Sequence, residues 1–344
     1  MTADTRSNGY DPTQPEFRRD PVTGDWIILA SGRSQRPEQM NMKKARRVRV
    51  PLKDSPFAAM PVLDGASVVY YRNKKKNDWS LQIIPNKYPL VKHVGACTDI
   101  TSYGPYQHAT GVGSHDLVLT RSYYKNFPML ESRDALDVFR AFQERYWQLA
   151  EDPCLRYFFA LHNWGPKAGA SIYHPHYQIL ALPIIPRGVY RSLSGSQKYY
   201  ERHGKFVHSE IIAWEQSQKE RVIFENKGAI AFAPYASRFP FELKVFPKKR
   251  LPYFEDTPKD DMKYFVEILQ KTLAALTKNA GDPDYNFYVH TAPMHNREVY
   301  SHYHWHVEIL PHMKVEGSVE IGTGIDINIV HPGDAAALLR GDKR

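Results

Sequence analysis

Gly169-Ala170-Ser171-Ile172-Tyr173-His174-Pro175-His176-Tyr177-Gln178 is the stretch on which this chain turns. Side chains alternate along a strand, so His174, His176 and Gln178 share one face. Two imidazoles and an amide together are costly in a core strand that has no polar task. Just upstream, Asn163-Trp164-Gly165-Pro166-Lys167-Ala168-Gly169 is small and glycine-containing, so backbone N–H groups can approach an anion closely, and Ser171 adds a donor. Neutral imidazole has a free lone pair near pH 7 and can attack phosphorus. That chemistry needs an acceptor on the other ring nitrogen and donors on the non-bridging oxygens. His176 is the candidate nucleophile and Gln178 the candidate oxygen donor. Two plainer readings stand beside this one: a structural histidine cluster, and a His-x-His pair holding one metal ion.

Working outward, the order of segments recurs. Residues 115–128 (HDLVLTRSYYKNFP), 156–163 (RYFFALHN) and 174–180 (HPHYQIL) are echoed by 241–254 (FELKVFPKKRLPYF), 286–293 (NFYVHTAP) and 304–310 (HWHVEIL). The near-equal spacing predicts an internal duplication. Apolar residues at three- and four-residue steps predict one helix over Ser132–Ala150 and another over Pro258–Leu276. Strands are expected at Asp25–Ser31, Val68–Arg72, Leu81–Pro85, Asp116–Thr120, Tyr157–Asn163 and Tyr177–Leu182. In the second half they are expected at Val222–Phe224, Ala229–Ala233, Phe241–Pro247, Asn286–Thr291 and Trp305–Leu310. Residues 1–17 read as a flexible arm, Pro186–Lys205 as a polar linker, and Gly317–Val330 as a strand pair bending at Gly322 and Gly324. The fold class is α+β, with an N-terminal catalytic domain over 1–190 and a related C-terminal domain over 191–344.

The 344 residues carry 46 Lys+Arg against 37 Asp+Glu, a net charge of +9 that favours anionic partners without choosing among them. The basic runs Lys43–Val50 and Arg72–Lys76 lack interleaved stacking aromatics and read as solvated loops, so nucleic acid is not the expected partner. Two cysteines, Cys97 and Cys154, exclude a disulfide scaffold and a cysteine-only zinc cluster. No secretory signal or membrane-spanning run is legible, and a soluble protein of a reducing, cytoplasmic compartment is expected.

The pattern GxSxxHPHxQ at 169–178 resembles the galactose-1-phosphate uridylyltransferase family, a branch of the histidine-triad superfamily. Arg18–Trp26 (RRDPVTGDW), Arg33-Ser34-Gln35-Arg36-Pro37, Asn86-Lys87-Tyr88-Pro89 and Gly113-Ser114-His115-Asp116 match that family's other motifs in order, and the likeness runs from about residue 16 to 340. The resemblance implies a histidine-triad-like fold and ping-pong transfer of a nucleotidyl group through His176, with a nucleotide sugar and a sugar phosphate as substrates. It implies that Gln178 holds the α-phosphoryl oxygens beside His174. Asn163, Gly169 and Ser171 then meet phosphate and nucleotide, and Asn86 lies near base and ribose. Arg33 and Arg36 reach the sugar phosphate, and the protein is a homodimer. Smaller hydrolases of the superfamily carry a further histidine where this chain has Gln178. An amide cannot act as an acid, which favours transfer over hydrolysis. A non-catalytic nucleotide binder is the remaining alternative.

The chain departs from the family at its metals. Many members hold a structural zinc with two cysteines and two histidines, but Ser55 and Ala58 stand where the cysteines are expected. His115 and His174 are therefore expected to form at most a weakened site. His290, His304 and His306 form a possible second site for zinc or iron, lacking the family's glutamate; Glu308 and Glu210 are the available substitutes. No cofactor is expected to be required for the chemistry. The Gly322-Thr323-Gly324 segment followed by Asn328 looks closer to relatives that act on ADP-glucose with phosphate as acceptor, so the base and acceptor stay open.

Overall fold

In chain order, the first half contributes β1 (Glu16–Arg19), β2 (Trp26–Leu29), β3 (Val68–Asn73), β4 (Asp78–Pro85), β5 (Thr101–Tyr103), β6 (Tyr106–His108), β7 (Ser114–Thr120), α1 (Ser132–Ala150), β8 (Tyr157–Trp164) and β9 (His176–Leu182). Two helices, α2 (Arg187–His203) and α3 (Val207–Gln218), lead into the second half. There follow β10 (Val222–Glu225), β11 (Ala229–Phe232), β12 (Leu243–Pro247), α4 (Lys259–Asn279), β13 (Tyr285–His290), β14 (His306–Pro311), α5 (Ser318–Thr323), β15 (Asp326–Asn328) and α6 (Pro332–Arg340). The computed structural model describes residues 11, 14–32, 49–57, 62, 65–76, 78–93 and 97–342. Arg33, Arg36, Ala58, most of the 43–50 run and the first ten residues of the expected arm lie outside them.

Ten strands form one sheet in the order β10-β11-β12-β14-β13-β8-β9-β7-β4-β3, with every neighbouring pair antiparallel. Outward from its centre, β8-β9-β7-β4-β3 repeats as β13-β14-β12-β11-β10. The predicted duplication is therefore built as two copies of one five-stranded unit, joined edge to edge where Asn163 on β8 faces Asn286 on β13. Registers make the equivalence residue by residue. Gln178 stands opposite Leu117 and Leu161, and Glu308 opposite Lys244 and Tyr288. The same offsets match His176 with His306, Leu117 with Lys244, and Asn163 with His290.

The two long helices lie on one face of the sheet, where Phe139 of α1 meets Phe265 of α4 at 5.6 Å between ring centroids. Both rings are fully buried, and the core residues of the two halves belong to one cluster. Each such side chain contributes about 2 kcal/mol by burial, so the halves hold one another rather than standing as beads on a linker.

The expected linker is a helix. Val189, Leu193 and Ser196 bury one face of α2, and Gly204 ends it in the left-handed conformation at φ 63°. A polar outer face hid this amphipathic pattern. Gly195 is required for contact: a Cβ there would overlap the Val22 carbonyl. The boundary at residue 190 falls inside this helix. The expected strand pair over Gly317–Val330 is likewise corrected. Glu320 accepts a bond from the Gly317 N–H at 3.0 Å and starts α5, Gly324 closes it at φ 69°, and β15 pairs in parallel with β2. Phe17 lies in β1 rather than in an arm. The two cysteines, expected as thiols, are joined: Cys97 and Cys154 form a disulfide with Cα atoms 5.0 Å apart. No helix among the described residues is long and apolar enough to cross a membrane.

Candidate active site

β9 carries the chemistry because it lies between β8 and β7, with its odd positions in the core. Tyr177, Ile179 and Ala181 are fully buried under α1, which turns His176 and Gln178 to the opposite face. His176 Nδ1 lies 2.9 Å from the His174 carbonyl oxygen, so Nδ1 carries the proton and Nε2 keeps its lone pair. Burial pushes the His176 imidazole below its usual 6.5, while the bond to the His174 carbonyl opposes this. The ring is neutral at physiological pH. His162, fully buried, donates from Nδ1 to the His176 carbonyl at 2.8 Å and anchors the strand from behind.

Gln178 is oriented by His115 of β7. His115 Nδ1 accepts the Leu90 N–H at 3.1 Å, which puts its proton on Nε2, and Nε2 donates to Gln178 Oε1 at 2.9 Å. The Gln178 amide N–H groups are thereby turned outward as donors. Asn86 braces the same residue: its backbone N–H donates to the His115 carbonyl at 2.9 Å. His174 donates from Nε2 to the Thr120 carbonyl at 2.8 Å, and Phe57 packs edge-on against His174 and His176.

Among the described residues, His115 and His174, the expected pair of metal ligands in the first half, are not gathered into a group of three or more potential ligands. Both nitrogens of His115 are engaged, by Leu90 and Gln178, and Ser55 Oγ lies 3.4 Å from His174 Nδ1. A hydroxyl and an imidazole are a poor donor set for structural zinc, and the second imidazole is committed elsewhere.

The turn between β8 and β9 is fixed by its glycines and by contacts from the second half. Gly165 sits at φ 86°, and a Cβ there would run into the Asp284 carboxylate, which also accepts the Lys167 N–H at 2.8 Å. Gly169, at φ 84°, lies against Asn163. Asn163 accepts from Asn286 Nδ2 at 2.7 Å, and Asn286 also donates to the Ala168 carbonyl at 2.8 Å. His162 pairs with Tyr177, so one residue on Asn163 comes level with His176. Ser171 is exposed at the rim. The structure thus gathers His176, Gln178, His174, His115, Asn86, Asn163 and the 165–169 turn. Sequence reading missed Asp284, Asn286 and His162, which act across strands from positions that no local motif marks.

In the second half, His306 repeats the His176 geometry, with Nδ1 3.1 Å from the His304 carbonyl. Here the convergent group is His290, His306 and Glu308, the equivalents of Asn163, His176 and Gln178. His304, expected as a ligand, is outside it, and so is Glu210. Glu308 is already satisfied: Lys244 Nζ lies 3.0 Å from Oε1, Arg238 Nη2 lies 2.8 Å from Oε2, and the Tyr288 hydroxyl donates at 2.9 Å. Burial pushes the Glu308 carboxyl up, but Lys244 and Arg238 hold it well below the usual range. A divalent ion here would sit beside a buried ammonium and a guanidinium, so these residues do not fit the metal expected at this site. Burial lowers His306 to about 4 and His304 to about 3, so these two rings are neutral at physiological pH.

Residues 8–186 match the family described as galactose-1-phosphate uridyl transferase, N-terminal domain, and residues 215–312 match the HIT domain. An ADP-glucose phosphorylase of Arabidopsis thaliana is 30% identical over 331 residues, covering 95% of this chain and 92% of the relative. A galactose-1-phosphate uridylyltransferase of Thermotoga maritima is 25% identical over 334 residues, covering 94% and 98%. The crystal structure of an Arabidopsis thaliana ADP-glucose phosphorylase with bound ADP-glucose superposes with a TM-score of 0.76 at 26% identity, covering 96% of this chain and all of that one. On these matches the chain belongs to the galactose-1-phosphate uridylyltransferase family of nucleotidyltransferases in the histidine-triad superfamily.

Proposed function

We propose that this enzyme transfers a nucleotidyl group from a nucleoside diphosphate sugar through a covalent bond to Nε2 of His176. The supporting observation is the 2.9 Å bond from His176 Nδ1 to the His174 carbonyl, which leaves Nε2 as the only free lone pair on a neutral ring. Nε2 attacks the α-phosphorus, and the bond to the bridging oxygen breaks. Hexose 1-phosphate leaves as an anion and takes both bonding electrons. A phosphate oxygen of the acceptor then attacks the same phosphorus and the N–P bond breaks, regenerating neutral His176. Gln178 donates to the non-bridging oxygens through the transition state. Both leaving groups are weakly basic, so no general acid is needed, in keeping with an amide at position 178. Asn163 and the Gly169–Ser171 backbone take the remaining phosphate oxygens, and Asn86 stands at the nucleoside end. A metal-free chemical step, a homodimeric assembly implied by the resemblance, and a cytoplasmic setting expected from the sequence belong to this reading.

Uridylyl transfer between UDP-glucose and a hexose 1-phosphate is the leading form, supported by the family match across the first half. Adenylyl transfer from ADP-glucose to phosphate is the second, favoured by the 30% identity to an ADP-glucose phosphorylase over 95% of the chain. Intact-protein mass spectrometry after brief exposure to UDP-glucose and, separately, ADP-glucose distinguishes them, with His176→Ala as control. A nucleotidyl adduct on the wild type alone supports the mechanism, and its mass names the base. No adduct from either sugar, with turnover intact, overturns the covalent route.

A further inference from the structure

The second half keeps a cavity of its own, of about 630 Å³, on the side of the sheet that carries His176 in the first. Its floor is Phe232 of β11 with Lys244 and Phe246 of β12, the strands equivalent to β4 and β7. Its roof is α3, through His208, Trp214 and Glu215. Two buried polar atoms that border it have no partner: His208 Nδ1 and Glu215 Oε2. Each residue is only 2% exposed. An unmet buried polar atom costs about 1–3 kcal/mol, so two bordering one cavity mark a place where a ligand supplies the missing bonds.

The chemistry of the lining narrows that ligand. Glu215 Oε1 receives Arg221 Nε at 3.1 Å and Nη2 at 2.9 Å, which leaves Oε2 as an acceptor in search of a donor. Burial holds His208 well below its usual pKa, with His306 and His304 adding to the effect, so its neutral ring offers one nitrogen to donate or accept. The walls are aromatic: Phe232, Phe246, Tyr235 and the half-exposed Trp214. The cations nearby are spent. Lys244 is on Glu308, Arg221 on Glu215, and Arg18 donates to the Tyr235 carbonyl at 3.1 Å and meets His331 Nε2 at 3.0 Å. Five carboxylates face four Lys and Arg side chains around the cavity, so it carries no excess of positive charge for a phosphate. His208 and Glu215 lie seven residues apart on α3, two turns along one face, or about 10 Å. A flat ring system with an amino donor and a ring nitrogen suits those two polar atoms and those walls.

We propose that this cavity is a second binding site, for an uncharged nucleobase or nucleoside bearing an exocyclic amine. The amine donates to Glu215 Oε2, a ring nitrogen pairs with His208, and the base lies against Trp214 and Phe246. The site is separate from His176 and does not depend on the transfer reaction.

The test is calorimetric titration of the full chain with adenosine and cytidine, and with uridine and ribose as comparison. Wild type, His176→Ala, Trp214→Ala and His208→Leu are compared. Adenosine or cytidine is expected to bind wild type and His176→Ala alike, and at least tenfold more weakly to Trp214→Ala and His208→Leu. Uridine and ribose are expected to bind tenfold more weakly or not at all. Trp214→Ala is expected to keep full transfer activity. Because Trp214 is half exposed, that variant carries the test even if His208→Leu fails to fold. The proposal is overturned by no binding of either nucleoside, by binding that Trp214→Ala leaves unchanged, or by uridine binding as well as cytidine. Loss of transfer in His176→Ala with nucleoside binding intact would separate this site from the catalytic one.

Discussion

The ring of His176 is held by the backbone of His174: Nδ1 of one lies 2.9 Å from the carbonyl oxygen of the other, two residues back on the same chain. One bond therefore sets the tautomer and aims Nε2 away from the core. The second half makes the same bond between His306 and His304 at 3.1 Å, but there the ring meets Glu308 and Lys244 in place of an open turn. One geometry is thus kept twice, and the neighbours decide which copy can react.

His176→Ala should lower transfer by about 10⁴-fold or more, since it removes the attacking atom. The thermal midpoint should stay near that of the wild type, because the ring makes only the one local bond. Steady-state kinetics and a melting curve check both. A variant retaining a tenth of the wild-type rate would exclude His176 as nucleophile.

The reaction should persist well into mild acid. Burial lowers the pKa of His176 from 6.5, so the neutral, nucleophilic form survives to a lower pH than a free imidazole would allow. The acid limb of kcat/KM is expected below pH 6.5 and should be absent from the pH dependence of nucleotide binding. Half-loss of activity at pH 7 or above would contradict this.

Gln178→Ala should cost about 10²–10³-fold in kcat with a smaller change in KM, as expected for donors that act on charge in the transition state. His115→Phe should lose kcat by a smaller factor through misplacement of the Gln178 amide. His115→Gln, which retains a donor, should recover part of it. Equal losses in all three variants would argue that His115 serves some purpose other than aiming Gln178.

Stability should fall between pH 6.5 and about 4.5. Burial lowers His162 and His304 to about 3 and His306 to about 4, so below 6.5 the unfolded chain takes up protons that the native state refuses. Each histidine contributes up to about 1.4 kcal/mol per pH unit in this window. Glu255, pushed up to about 7 by burial, works the other way, since the native state holds its proton above the unfolded value of 4.5. These four groups alone give a net uptake of about two protons, and His176 and His208, also lowered by burial, act in the same direction; the sum is measurable as the slope of urea-unfolding free energy against pH. A flat profile from 7 to 5 would show that these rings are not neutral in the native state.

Reduction should destabilise the protein. The Cys97–Cys154 bond spans a sequence separation of 57 and ties the long connection between β4 and β7 to the turn after α1. Closing a loop of that length is worth up to about 4 kcal/mol through the unfolded chain. Cys154→Ser should lower the thermal midpoint of the oxidised protein to that of the reduced wild type. Identical midpoints for oxidised wild type and Cys154→Ser would mean that the bond adds nothing.

Much of this molecule is written in local pattern. The period of apolar residues specified α1 residue for residue, because one stripe of Leu136, Phe139, Phe142, Tyr146 and Leu149 can be buried in only one way. Alternation along β9 put His174, His176 and Gln178 on one face, and the repeat of His-x-His announced the duplication. Other features were not legible. The polar surface of α2 concealed four buried positions, and α5 depends on a Glu320 cap and a glycine stop that a strand pair would have used equally well. At the site, the sequence singled out His176 and Gln178, but not what aims them. His115 reaches Gln178 across 63 residues and Asn286 reaches Asn163 across 123, and such pairs exist only once strands are laid side by side. The sequence likewise offered three histidines and a nearby glutamate as a metal site. Only the register of β12 against β14, which sets Lys244 opposite Glu308, put a buried ammonium where an ion would have to sit. Local residue order determined which side chains share a face, because a strand alternates with period two; the tertiary structure decided which faces meet, because hydrogen-bonded register brings together residues that no spacing connects.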